Sequence, residues 1–160
     1  MPERADPKFI DQIYDEVALW CTTPEIGAAT IVAMACDALV AGLDGEGLIA
    51  VAATSVGHED WNFDGSIEAM LAELGREFPG RSTPIAQSGA VRAMCRRCLT
   101  GTFTPRELAR WTHVVVGHSG APEAQLLVEL DDAYDTVDYT KETKGDLDQS
   151  VIEEARRLTS

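Results

Sequence analysis

The sequence predicts an all-α protein, a single-domain helical bundle of seven or eight helices spanning residues 1–160 and built around a central helical hairpin (83–118). Three observations predict it. Apolar residues recur at three- and four-residue spacings along most of the chain, the period of a helix buried on one side. A capping residue followed by proline, the usual start of a helix, stands at Asp6-Pro7, Thr23-Pro24 and Thr104-Pro105. No stretch alternates strictly between apolar and polar residues, and the one strand-like triplet, Val114-Val115-Val116, sits inside a helical pattern. A chain of this length buries roughly 70% of the surface its unfolded form exposes, so a core can hold it without disulfides or structural metal.

The hairpin carries the strongest local signals. Val91, Met94, Cys95, Cys98 and Leu99 form one apolar stripe on its first helix. Gly101 follows where a left-handed cap residue is wanted. Thr104-Pro105-Arg106-Glu107 then reads as N-cap, first-turn proline and capping-box glutamate, and Leu108, Trp111 and Val115 continue the next stripe.

Phe9, Ile10, Ile13, Val17 and Trp20 mark the first helix. The run from Glu25 to Gly42 is alanine-rich and apolar nearly all round, which predicts a helix at the centre of the bundle. Asp44 is placed to cap the following segment, whose first turn Gly45 and Gly47 weaken. Residues 57–65 read as a loop. Ile67, Met70, Leu71 and Leu74 read as a short helix stopped by Gly75. Leu126, Leu127, Leu130 and Tyr134 define a later helix, and Asp146 with Gln149 reads as the capping box of the last one.

Four stretches, ALVAGLD at 38–44, AELG at 72–75, LTGTFTPRELA at 99–109 and EEARRL at 153–158, resemble small all-helical bacterial proteins without an assigned function. Segment 55–65 departs from their pattern. The shared motifs are packing and capping motifs, so the resemblance implies a fold and no activity.

The formal net charge is −14. That excess repels nucleic acid and anionic membranes, so neither is expected as a partner. The charge is also uneven. Residues 81–120 carry six arginines against Glu107, a net of +5, between flanks of −12 over residues 1–80 and −7 over residues 121–160. The arginines of this basic island either pair with the acidic flanks or present a surface to an acidic partner. On the second reading Arg92, Arg96 and Arg97 form one interaction surface, and Asp131, Asp132 and Asp135 form an acidic one that suits a basic partner. No apolar run approaches a membrane span. MPERADPKF has no apolar leader pattern, and four irregularly spaced cysteines do not make a disulfide scaffold. The expected compartment is cytoplasmic.

Two motifs bear on metals. Cys95-x2-Cys98 with His113 and His118 has the spacing of a zinc finger. Both cysteines lie on an apolar stripe, however, and the histidines, five residues apart, diverge by about 140° on a continuous helix. Buried cysteines without metal are expected. The second motif is Asp60-Trp-Asn62-Phe-Asp64-Gly65-Ser66-Ile67-Glu68, which reproduces the first half of an EF-hand calcium loop. Asp60, Asn62, Asp64, Ser66 and Glu68 are its candidate ligands. Leu71 stands where the loop needs a bidentate glutamate, so calcium is expected to be weak or absent, with Asp64 or Ser66 capping a helix instead.

No nucleophile motif or phosphate-cradling glycine loop is present. The sequence therefore leans toward a non-enzymatic protein-binding or regulatory module without a cofactor. Its partner is a protein of opposite charge or a second copy in a homo-oligomer. A weak calcium-binding protein is the alternative, and an enzyme with a pocket assembled from scattered residues is the third class.

Overall fold

The computed structural model describes residues 5–55, 57 and 62–160. Among these there are eight α-helices and no strand: α1 Pro7–Thr22, α2 Ala28–Val40, α3 Glu46–Ala52, α4 Phe63–Glu73, α5 Pro84–Leu99, α6 Pro105–Val115, α7 Gln125–Asp135 and α8 Lys144–Thr159. Short 3-10 turns at Pro122–Ala124 and Val137–Tyr139 flank α7.

Within the hairpin, α5 is the axis of the bundle. α1 lies along one side of it and α8 along another, while α6 pairs chiefly with α7. The approach of α1 to α5 depends on Gly89, where an added Cβ would lie 2.5 Å from the Cβ of Ala18. Two apolar clusters fill the interior. One gathers Met94, Cys95, Leu108, Leu127, Leu147 and Val151 around α5 to α8. The other gathers Ile13, Ile31, Leu48, Ile67, Met70 and Leu71 around α1 to α4. Successive residues of α1 serve the two: Ala18 belongs to the second cluster and Leu19 to the first.

The strongest capping signals form as the sequence predicts. Thr104 accepts from the Glu107 N–H at 3.1 Å while Glu107 accepts from the Thr104 N–H at 2.7 Å. The triplet at 114–116 is helical to Val115. Other boundaries shift. Thr23 ends α1, and Gly27, not Thr23, stands at the start of α2. The last capping box is Thr143 with Asp146, three residues upstream of the expected pair. The weak first turn of α3 is rescued from a distance: the carboxylate of Glu73 accepts from the N–H groups of Gly47 at 2.7 Å and Leu48 at 3.0 Å. An anion there satisfies two orphan donors and sits well in the helix dipole.

The main departure is α2. It packs on α1 and α3 only at the edge of the bundle and buries Ile31, Val32, Ala35 and Ala38. The opposite face is in water although it is apolar. All-round apolarity misplaced this helix because it does not distinguish a central helix from a peripheral one with an unpolar outer face.

Candidate functional site

The basic island is largely spent inside the molecule. Arg92 and Arg96, one helical turn apart on α5, both reach Asp15 on α1, which is 2% exposed. Arg92 binds with Nε at 3.1 Å and a terminal nitrogen at 2.9 Å, and Arg96 binds the other oxygen at 2.7 Å. Burial lowers the Arg92 pKa, but the hydrogen bond and charge of Asp15 outweigh it and hold the guanidinium above its ordinary value. Arg97 grips the neighbouring Glu16 with both terminal nitrogens, at 3.0 and 2.6 Å. A cleft of about 590 Å³ opens beside this seam, lined by Lys8, Asp11, Tyr14, Arg76, Arg92 and Arg96. Its arginines face carboxylates, Arg76 with Asp11 at 2.9 Å and the others with Asp15. Arg92, Arg96 and Arg97 are therefore paired with α1, the first of the two readings of the basic island.

Asp131, Asp132 and Asp135 do not form one acidic surface either. Asp131 is fully buried between α6 and α7. Its Oδ2 meets His113 Nδ1 at 2.8 Å and Arg110 at 3.5 Å. Its Oδ1 makes no hydrogen bond, and Arg106 stands 3.4 Å away. Asp135 pairs with Arg106 at 2.8 Å. Asp132 projects outward, as Asp135 does. Asp132 lies 3.0 Å from His118 Nε2 and 3.6 Å from His113 Nδ1.

The two histidines do converge, against the expectation from helical spacing. α6 ends at Val115, so the 140° separation, which requires a continuous helix, does not hold for the pair. Gly117, with φ at +71°, turns the chain back and returns His118 to the helix end. The loop is pinned by Gln125, whose amide donates to the Gly117 carbonyl at 2.9 Å, and by Gln87, which accepts from the Ala121 N–H at 2.9 Å. The histidine rings meet edge to face with centroids 4.9 Å apart. His113, His118 and Asp132 each offer one ligand atom, all within 4.8 Å of one another. Asp132 joins where the sequence pattern had placed cysteines. Cys95 and Cys98 face the core, as their stripe predicts, and burial pushes the Cys95 thiol up to about 12.

The EF-hand-like segment takes a different form. α4 begins at Phe63, so Asp64, Ser66 and Glu68 ride on a helix and not on a loop. Residues two apart on a helix point about 200° from each other, so these three cannot converge as EF-hand ligands do. Asp64 pairs with Arg81 at 2.8 Å, and neither Asp64 nor Ser66 is the N-cap residue, which is Asn62. Phe63 packs inward edge to face on Trp20. Asp60 and Trp61 lie outside the described residues.

The remaining candidate surface is the outer side of α2 and α3. Ala29, Ala33, Cys36 and Val40 are exposed at spacings of four, three and four, which puts them within one narrow arc of α2. Val40 is 89% exposed. α3 lies alongside, with the Cys36 thiol 3.7 Å from the Ala52 carbonyl, and it exposes Ile49. Residues 23–55 contain Glu25, Asp37, Asp44 and Glu46 and no lysine or arginine, and all four acids are exposed. Among the described residues no helix is long and apolar enough to cross a membrane. No family model, no curated protein and no solved structure matches this chain.

Proposed function

We propose that the protein is a non-enzymatic binding module that docks a basic protein partner on the outer face of α2 and α3. The supporting observation is the exposed apolar stripe Ala29, Ala33, Cys36 and Val40, rimmed by acids with no base in the segment. Small side chains let a partner helix approach closely, Val40 and Ile49 supply apolar area, and the rim selects a cationic surround. A second copy would bring the same acidic rim against itself, so the partner is a different protein.

Cys36 gives the test a handle at the middle of the face. A photo-crosslinker on Cys36 should trap a basic protein from a lysate of the native host, with yield falling as salt rises. Val40→Asp should abolish the trap, and the same crosslinker on Tyr139→Cys in a Cys36→Ala background should not capture that protein. Equal capture by the Val40→Asp variant, an acidic captured protein, or a self-crosslinked dimer refutes the reading.

A further inference from the structure

We propose that His113, His118 and Asp132 form a binding site for a divalent transition ion of the zinc class, at the end of α6 and on helices other than the docking face. The donor set is two imidazoles and one carboxylate, a combination that suits zinc and its neighbours and leaves positions for water. A tetrahedral zinc with bonds of about 2.0–2.1 Å needs ligand atoms roughly 3.3 Å apart. The His118 and Asp132 atoms stand at 3.0 Å already, and the full set lies within 4.8 Å. Closing the remainder is a matter of side-chain rotation. His118 and Asp132 are about half exposed and free to make it, whereas His113 is held.

What holds His113 is the second argument for a built site. Fully buried Asp131 accepts from its Nδ1 at 2.8 Å. That bond fixes the ring with Nδ1 toward Asp131, at 2.8 Å, and toward Asp132, at 3.6 Å, on the side of the ring where the other two ligand atoms gather. Asp131 is thus a positioning residue. Asp132 supplies the negative charge of the centre, beside the two histidines, while the charge of Asp131 is offset by Arg106 at 3.4 Å and Arg110 at 3.5 Å. The loop bearing His118 is anchored by Gln125 and Gln87, so the ligands need little ordering on binding.

The test uses the full chain after treatment with a chelator, titrated with cobalt(II) for its spectrum and with zinc(II) by calorimetry. One equivalent should bind, with ligand-field bands of a nitrogen- and oxygen-ligated ion and no thiolate charge-transfer band. His118→Ala and Asp132→Asn, both at exposed positions, should each weaken zinc at least tenfold without altering the far-UV spectrum. Asp131→Asn should weaken it about 10–100-fold and should shift the His113 tautomer in long-range nitrogen–proton spectra, which a merely structural role would not do. The proposal is overturned if no stoichiometric metal binds, if binding survives both exposed-ligand changes, or if thiolate bands place the metal on cysteine.

Discussion

The Asp15 seam makes the sharpest quantitative prediction. Asp15 is 2% exposed, and two arginines that are each about one-third exposed neutralise it. Removing one partner of a buried ion pair costs about 3–5 kcal/mol when it strands the other charge. Arg92→Ala does not strand Asp15, because Arg96 still donates at 2.7 Å. It removes the two-pronged contact from a partly solvated cation, for a cost of about 2 kcal/mol. Arg96→Ala removes a single charged hydrogen bond, about 1.5 kcal/mol. The double variant leaves a buried carboxylate with neither guanidinium, and its cost should exceed the sum of the singles by about 1–2 kcal/mol. Urea unfolding followed by far-UV circular dichroism measures all three, and for a chain of this size each kcal/mol lowers Tm by about 2–4 °C. Arg76→Ala is the control. Its partner Asp11 is 58% exposed, and such surface pairs are worth about 0.5 kcal/mol or less. Strictly additive effects, or singles no larger than the control, would show that Asp15 is solvated and refute the reasoning.

The glycines separate packing from conformation. Gly89→Ala should destabilise by about 1–3 kcal/mol because α1 must move away from α5; Gly47→Ala should cost at least as much, since its Cβ would meet the backbone nitrogen of Met70 at 2.5 Å. Gly65→Ala should instead stabilise by about 0.5–1 kcal/mol, because Gly65 sits inside α4 with open space around it; loss of stability there would return the segment to a tight ion loop. Toward a thiol reagent the native protein should show one fast cysteine, Cys36, with Cys21 and Cys95 reacting only on unfolding. Burial raises Cys95 from 9.0 to about 12 and Cys21 from 9.0 to about 11. The folded state therefore keeps protons that the unfolded state releases, and stability should be full below pH 9 and fall as pH rises from there toward 12. Cys95→Ala should flatten that slope, and an unchanged slope would assign the loss to other groups.

The fold was legible because helical period and capping chemistry are local. Thr104-Pro105-Arg106-Glu107 specifies its own hydrogen bonds, and the stripe from Val91 to Cys98 specifies which side is buried. What the sequence concealed is set by ends and by distant partners. His118 looked unusable because a helix was carried past Val115, and Gly117 was the available signal that it should stop. Asp132 was not placed by any local signal, because α6 and α7 are joined by residues 116–124, a link long enough to leave their pairing open. Within the Asp60 to Glu68 motif the sequence places a helix start, capped by Asp64 or Ser66, a few residues late: α4 already begins at Phe63, whose buried ring joins the stripe of Ile67, Met70 and Leu71. The pairing of the arginines was foreseeable as a class, since six bases lay between acidic flanks, but that Arg92 and Arg96 share Asp15 depends on the α1–α5 approach that Gly89 permits.

That pairing also bears on the proposed docking face. Arg92, Arg96, Arg97 and Arg106 each face a carboxylate of the same chain, so the hairpin offers little net attraction to an anion. The proposed binding would then draw on apolar area, and burying a fully exposed side chain the size of Val or Ile is worth about 1.5–3 kcal/mol. Val40 and Ile49 are large apolar groups exposed on adjacent helices, and the exposed residues that share the arc of Val40 on α2 are the small Ala29, Ala33 and Cys36. The acids at 25, 37, 44 and 46 add little to the strength of such a contact, because rim charges are screened over about 8–10 Å. In the proposed complex they would set which protein approaches and how fast, while the apolar stripe would set how long it stays. A partner captured through this face should accordingly lose its association rate in salt before it loses its residence time, and Val40→Asp should do the reverse by shortening residence at every ionic strength.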